Sequence, residues 1–267
     1  MVIGHLVAAT FLMPNPGRAE IFDCVIEPAL VVEIASASGG LIRELNVSRG
    51  DLISRGQVLA RLDSGIERTT VDLMREQAAS DAEIEAQRAR LELARSRAER
   101  TNSLVERNIA PQADLDEAEA SVSVSERELS IAAMRQRIAG MELRRAEEIL
   151  RQRTVVSPID GVVIERLLYI GEFSDQDRPV VRIAQLDPLH VEAFLPISVF
   201  AGLEEGMTAL IRPAEPAGGE YEAEVTVIDK VFDPASSTFG LRAVLPNPDL
   251  AIPAGNRCTI ELVAEGK

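Results

Sequence analysis

Ser38-Gly39-Gly40-Leu41-Ile42-Arg43-Glu44-Leu45-Asn46-Val47-Ser48-Arg49-Gly50-Asp51 alternates apolar and polar residues and closes in a Gly-Asp turn. The same pattern returns at Ser157-Pro158-Ile159-Asp160-Gly161-Val162-Val163-Ile164-Glu165-Arg166-Leu167-Leu168-Tyr169-Ile170-Gly171-Glu172. A constant offset of 121 pairs Gly40 with Gly161, Glu44 with Glu165, Gly50 with Gly171 and Arg61 with Arg182. A register unbroken across turn and strand positions marks an internal repeat. It predicts two four-stranded halves, each short of a complete core and packed on the other, with turn glycines at Gly40, Gly50, Gly161 and Gly171 where the backbone needs positive φ.

Between the halves the periodicity changes. From Ile66 to about Glu106 there is no Gly or Pro, and Ala, Glu, Arg, Gln and Leu dominate, which predicts one helix of about 41 residues and about 60 Å. Its seam runs in steps of three and four from Leu73 through Ile84, Leu91 and Ala98 to Val105. Asn108-Ile109-Ala110-Pro111 ends it, because proline biases its predecessor out of the helix and is welcome at a first helical turn. A second helix follows, with a cleaner seam from Leu115 through Val122, Leu129 and Leu143 to Leu150. Two helices of matched length joined by a short turn fold back on each other. Residues 66–153 hold 15 basic and 18 acidic side chains, so most of these charges form a solvated face. The seam is rich in Ala, Ser and Gln and buries little apolar area, so the pair reads either as a free spacer arm or as an element that meets other copies or a partner.

Composition removes several functional classes. The chain has 267 residues, enough for two or three small domains with a buried core. Aromatic residues are 3% with no Trp, which argues against an aromatic-lined ligand cleft. Net charge is −15, and Lys230 and Lys267 are the only lysines, so no basic tract offers counterion release and nucleic acid is not an expected partner. With only His5 and His190, histidine metal sites and histidine-dependent triads are not expected. No P-loop, Gly-x-Ser-x-Gly elbow or zinc spacing is present, and the chain reads as no enzyme.

Residues 1–19 combine a short apolar run, Val2 to Met13, with small residues at Gly17 and Ala19. That pattern reads as a signal peptide, with an uncleaved anchor or a misjudged start as alternatives. Cys24 and Cys258 stand almost at opposite ends, each entering an alternating segment; in an exported chain they are a candidate disulfide, and in a reducing compartment two buried thiols. From Leu189 onward, short apolar runs at 189–195, 208–212, 220–229, 241–245 and 257–263 are punctuated by prolines and glycines, as in a small β-barrel. Residues 197–204 read as a short helix closing one end.

The paired halves resemble the lipoyl or biotinyl carrier fold, in which a lysine on the connecting hairpin receives the cofactor. Here the helices replace that hairpin and no lysine precedes Lys230, so no cofactor is expected. The split halves, the helical insertion, Arg153-Thr154-Val155-Val156-Ser157-Pro158-Ile159-Asp160-Gly161 and Ile183-Ala184-Gln185-Leu186-Asp187-Pro188-Leu189-His190-Val191-Glu192 together resemble the periplasmic adaptor subunits, or membrane fusion proteins of HlyD and RND type, of Gram-negative efflux and type I secretion systems.

That resemblance implies an elongated α+β multidomain chain. Residues 1–19 would be the signal peptide, 20–34 an N-terminal strand joining the β-barrel, and 35–64 the first lipoyl half. A coiled-coil helical hairpin would occupy 65–153 with its tip near 104–112, the second lipoyl half 154–186, and the barrel 187–267. Pairing of the first and last strands would bring Cys24 and Cys258 together.

The resemblance further implies a periplasmic adaptor, self-associated as a hexamer or trimer of dimers. It would link an inner-membrane transporter of RND or ABC type to a TolC-like outer-membrane channel. In the family an arginine, a leucine four residues on and a serine seven further contact the channel; Arg100 and Leu104 match, and Pro111 stands at the serine position. The competing reading is a periplasmic coiled-coil scaffold unrelated to transport.

Overall fold

The computed structural model describes residues 20–263; the signal-peptide reading of residues 1–19 lies outside them. In chain order the elements are β1 (Ile21–Ile34), β2 (Gly40–Leu45), β3 (Leu52–Ile53), β4 (Val58–Leu62), α1 (Gly65–Ala79), α2 (Ala82–Glu106), α3 (Gln112–Arg151), β5 (Thr154–Val156), β6 (Gly161–Arg166), β7 (Phe173–Ser174), β8 (Val181–Pro196), β9 (Thr208–Pro213), β10 (Tyr221–Ile228), β11 (Thr238–Leu245) and β12 (Arg257–Leu262). A 3-10 helix, Ile197–Gly202, follows β8.

The sequence repeat is also a repeat of hydrogen bonds. β2 and β6 begin 121 residues apart, as do β3 and β7. Gly50 N–H donates to the Val163 carbonyl at 2.8 Å, and 121 residues on Gly171 N–H donates to Ile42 at 2.9 Å. The Ser36 hydroxyl donates to the Ser38 carbonyl as Ser157 does to Ile159, and Asp51 caps the Ser48 amide as Glu172 caps Tyr169. Arg61 pairs with Glu44 as Arg182 pairs with Glu165.

The halves depend on each other, as expected, but by more than packing: they also exchange strands. β3 leaves its own half to pair with β6, and β7 pairs with β2. One sandwich layer therefore runs β5-β4-β2-β7, and the other runs β3-β6-β8 and on to the end of β1. Each layer mixes both halves. The core shows the same two-fold logic: buried Ile42, Leu59 and Leu62 face their repeat mates Val163, Val180 and Ile183 in one cluster.

Two of the four glycines do a different job from the one expected. Gly50 and Gly171 take φ of +93° and +89° in the turns, as predicted. Gly40 and Gly161 open strands without positive φ and are small because something lies against them. A Cβ on Gly161 would stand 2.3 Å from the Ala184 carbonyl oxygen; on Gly40 it would meet the tip of Arg153 at 2.8 Å.

The second core belongs to a six-stranded barrel, β1-β12-β9-β10-β11-β8, closed by β1 pairing with β8. Leu189, Ile211, Phe239, Leu241 and Ile260 fill it. Phe200 of the 3-10 helix stacks edge-on against Phe232 and Phe239 at one end. Barrel and sandwich are not separated at residues 34/35 and 186/187 as expected. β1 and β8 run through both, with a register shift between Pro28 and Leu30, so the junction is a continuous two-stranded ribbon. The apolar clusters still divide there, Ile183 going to the sandwich and Leu189 to the barrel.

The helices also depart from the sequence reading at one point. The first run is not a single helix: Ser80, at ψ 118°, breaks it into α1 and α2. Ser and Asp favour helix ends over interiors, and the two stand together at Ser80-Asp81. Gln136 of α3 donates its side-chain amide to the freed Ser80 carbonyl at 3.4 Å, and Glu83 and Glu85 sit in the first turn of α2. Both α1 and α2 lie along α3.

The Gly161 contact with backbone generates a prediction. Gly161→Ala should cost about 1–3 kcal/mol, because the β6–β8 ladder must shift. Gly50→Ala should cost about 1–2 kcal/mol from its left-handed backbone alone. Denaturant midpoints at constant m-value check the ranking, Gly161→Ala being at least as damaging.

Candidate functional site

The far end of the helical arm is built by a helix stop. Asn108 takes φ +58°, its N–H donates to the Val105 carbonyl at 2.8 Å, and Ile109 N–H donates to Leu104 at 2.9 Å. That pair of bonds satisfies the last carbonyls of α2 with Asn in the left-handed position that ordinarily takes Gly. Pro111, φ −74° and ψ 153°, then starts α3, where its missing N–H costs nothing. Leu104 and Ile109, joined by the backbone bond, remain 41% and 68% exposed, so the turn does not consume their apolar surface. Arg100 lies one turn below Leu104 on the same helix face, and Arg100 and Pro111 are both exposed. The structure thus gathers Arg100, Leu104 and Pro111 at one end of the arm, with apolar surface supplied also by Ile109.

The near end was not legible in the sequence. Arg153, just past α3, pairs with Glu67 of α1 at 2.6 Å, the side chains being 19% and 15% exposed. Its guanidinium also donates to the Gly39 carbonyl at the entry to β2, and its Nε has no partner among the described residues. The Arg153 carbonyl accepts from Leu62 N–H at 2.8 Å, and Ser38 Oγ donates to Gln152. Both arms are therefore bolted to β2 and β4 at one residue. Glu67 and Arg153 are 86 positions apart with no spacing motif between them, so only the first-turn acid of α1 hinted at the pair.

Elsewhere the charges hold strands together. Glu33 of β1, by hydrogen bond and charge, raises the Arg182 guanidinium above its ordinary value, with Glu165 adding to it, so one side chain ties β1, β8 and β6. Glu261 and Glu220 do the same for Arg212 in the barrel. The Ser236 hydroxyl and the Ala235 amide hold the Asp233 carboxyl below its usual range in the turn before β11.

Cys24 and Cys258 are direct partners on β1 and β12 and are joined by a disulfide. Among the described residues, no group of three or more His, Cys, Asp or Glu side chains is placed to hold a metal ion, and no helix is long and apolar enough to cross a membrane.

A family model described as CzcB-like, barrel-sandwich hybrid domain matches residues 30–185. No curated protein matches the sequence. Among solved structures, MacA from Actinobacillus actinomycetemcomitans superposes with a TM-score of 0.76 at 19% identity, over 95% of this chain and 82% of that one. A membrane fusion protein from Streptococcus pneumoniae gives 0.64 at 15% identity, over 93% and 100%. The periplasmic adaptor protein EmrA gives 0.52 at 16%, over 93% and 100%. At these identities the likeness is one of fold.

The root pair yields a measurable expectation. Arg153→Met leaves the largely buried Glu67 carboxylate without its cation and should cost about 2 kcal/mol or more, while adding Glu67→Leu should recover much of the loss. A double-mutant cycle in urea checks the coupling.

Proposed function

The chain belongs to the CzcB-like barrel-sandwich hybrid family, and we propose on that footing that it is a non-catalytic periplasmic adaptor linking an inner-membrane transporter to an outer-membrane channel. The observation that carries this reading is the placement of the arm. A single β-sandwich is opened at its connecting loop, both helical arms leave it at Arg153 and Glu67, and the chain then returns to complete the same core. An arm held this way transmits position over its length: α3 alone has 40 residues, about 60 Å.

In this reading the two arms form a coiled-coil hairpin whose tip, Arg100, Leu104 and Pro111, docks on a TolC-like channel. Leu104 and Ile109 supply the apolar contact. Arg100 supplies a charge-assisted hydrogen bond, and Pro111 removes the hydrogen bond that a serine would give. The sandwich and barrel layers self-associate as a ring of six copies, or three pairs, on a transporter of RND or ABC type. The disulfide between Cys24 and Cys258 suits an oxidising periplasm, reached through the signal sequence of residues 1–19. Its cleavage or retention as an anchor decides how the ring is tethered.

In-cell crosslinking between the tip and the channel protein tests the assignment. Leu104→Asp should reduce the crosslinked species at least ten-fold and abolish transport, with the melting temperature of the chain unchanged. Unaltered crosslinking after Leu104→Asp would show that the tip is elsewhere.

A further inference from the structure

Each half of the sandwich carries an arginine at the same station, and the two are not equally provided for. In the second half Arg182 donates to Glu33 of β1 at 3.0 Å and to Glu165 of β6 at 2.9 Å. The offset of 121 takes Arg61 to Arg182, Glu44 to Glu165 and Glu33 to Thr154. The strand pairing keeps this correspondence: Arg61 faces Thr154 across β4 and β5 as Arg182 faces Glu33 across β8 and β1. Arg61 still pairs with Glu44, at 3.3 Å, but where its counterpart meets a second carboxylate it meets a neutral threonine.

An open pocket of about 320 Å³ lies at that place, at the root of the arm. Arg61 and Thr154 line it together with Arg68 of α1 and Arg151 of α3. Arg68 forms no ion pair among the described residues, and Arg151 meets only the exposed Glu148 of its own helix. Exposed pairs of this kind, like that of Arg61 with Glu44, hold their arginines weakly. Arg153 also borders the pocket, but its guanidinium is committed to Glu67 and Gly39. The one carboxylate in the lining is Glu147, with Arg75 at 3.8 Å from it. In a chain of net charge −15, a concavity with four arginines to one carboxylate selects for an anion. The lining also holds a polar group that the fold leaves unused. Ser64, at the N-cap of α1, is 7% exposed, and its side chain makes no capping bond. Its hydroxyl has no other hydrogen-bond partner among the described residues, although a buried hydroxyl ordinarily finds one. It stands at the positive end of a helix, beside guanidinium groups.

We propose that this pocket binds a phosphate group, with Arg61, Arg68 and Arg151 supplying the charge and Ser64 a hydrogen bond, in the role that the Glu33 carboxylate fills in the other half. A single carboxylate has one charge and two oxygens in one plane, and it would leave part of this donor set idle. A dianionic tetrahedral group accepts from several guanidinium forks and a hydroxyl at once. The donors belong to β4, to α1 and to α3, so an occupied pocket ties both arms to the sandwich and stabilises the root of the arm. The site needs neither a channel nor a transporter, and the Leu104→Asp experiment has no bearing on it.

Titration of the full-length chain with sodium phosphate at constant ionic strength, followed by calorimetry and by melting temperature, tests the site. It should show one saturable site per chain and a rise in melting temperature that chloride does not give. Arg68→Gln should weaken phosphate binding at least ten-fold and leave the melting temperature of the unliganded chain unchanged, because Arg68 holds no ion pair. Thr154→Glu restores the carboxylate that the second half has at Glu33. It should also weaken phosphate binding at least ten-fold, while the unliganded chain melts no lower than the native one. Glycerol 3-phosphate separates the two sources of the group: binding tighter than that of inorganic phosphate assigns the site to a phosphate ester such as a lipid headgroup, and weaker binding assigns it to the free ion. No saturable phosphate binding, or binding that either substitution leaves unchanged, would overturn the inference.

Discussion

The hydrogen bonds from Gly50 to Val163 and from Gly171 to Ile42 commit each half of the sandwich to the other. A half by itself would expose the backbone of its central strand and one face of Ile42 or Val163, since the strand that covers it comes from the other half. Neither half is a folding unit in isolation. Because the insertion falls between them, the arm cannot dock on the sandwich until the chain on both sides of it has assembled. Arg153 then fixes the exit, meeting Glu67 of the outgoing arm and Gly39 of the opposite strand entry with one side chain.

The same economy joins sandwich to barrel. β1 and β8 pair along nearly their whole length, contributing Ile34, Val181 and Ile183 to one core and Ile26, Leu189 and Val191 to the other. The disulfide between Cys24 and Cys258 cross-links the neighbouring barrel strands β1 and β12. Displacement of the barrel therefore bends a two-stranded ribbon rather than a loose linker. A transporter pressing on the barrel and a channel holding the tip would be connected through paired strands and a clamped helical root, which is what the proposed role demands mechanically.

How much was legible follows from how local each cause is. The alternation of β2 and β6 and the positive-φ glycines 50 and 171 are written in adjacent residues, and the repeat could be read from them. Gly40 and Gly161 were misread as turn glycines because the carbonyl of Ala184 and the guanidinium of Arg153, which exclude a Cβ, are distant in sequence. The break at Ser80-Asp81 is hidden in the sequence because the seam periodicity runs across it, and its compensation, the Gln136 amide, lies on the other arm.

By itself the amino-acid sequence determined the element types, the repeat, the length of the arm and the segments that form the barrel, because side-chain periodicity and turn chemistry act over a few residues. Tertiary structure alone decided which half supplies the covering strand, that barrel and sandwich share β1 and β8, and that Arg153 anchors the arm. Each of those depends on a partner brought close only by folding, where burial makes an unpaired backbone group or charge too costly to leave unmatched.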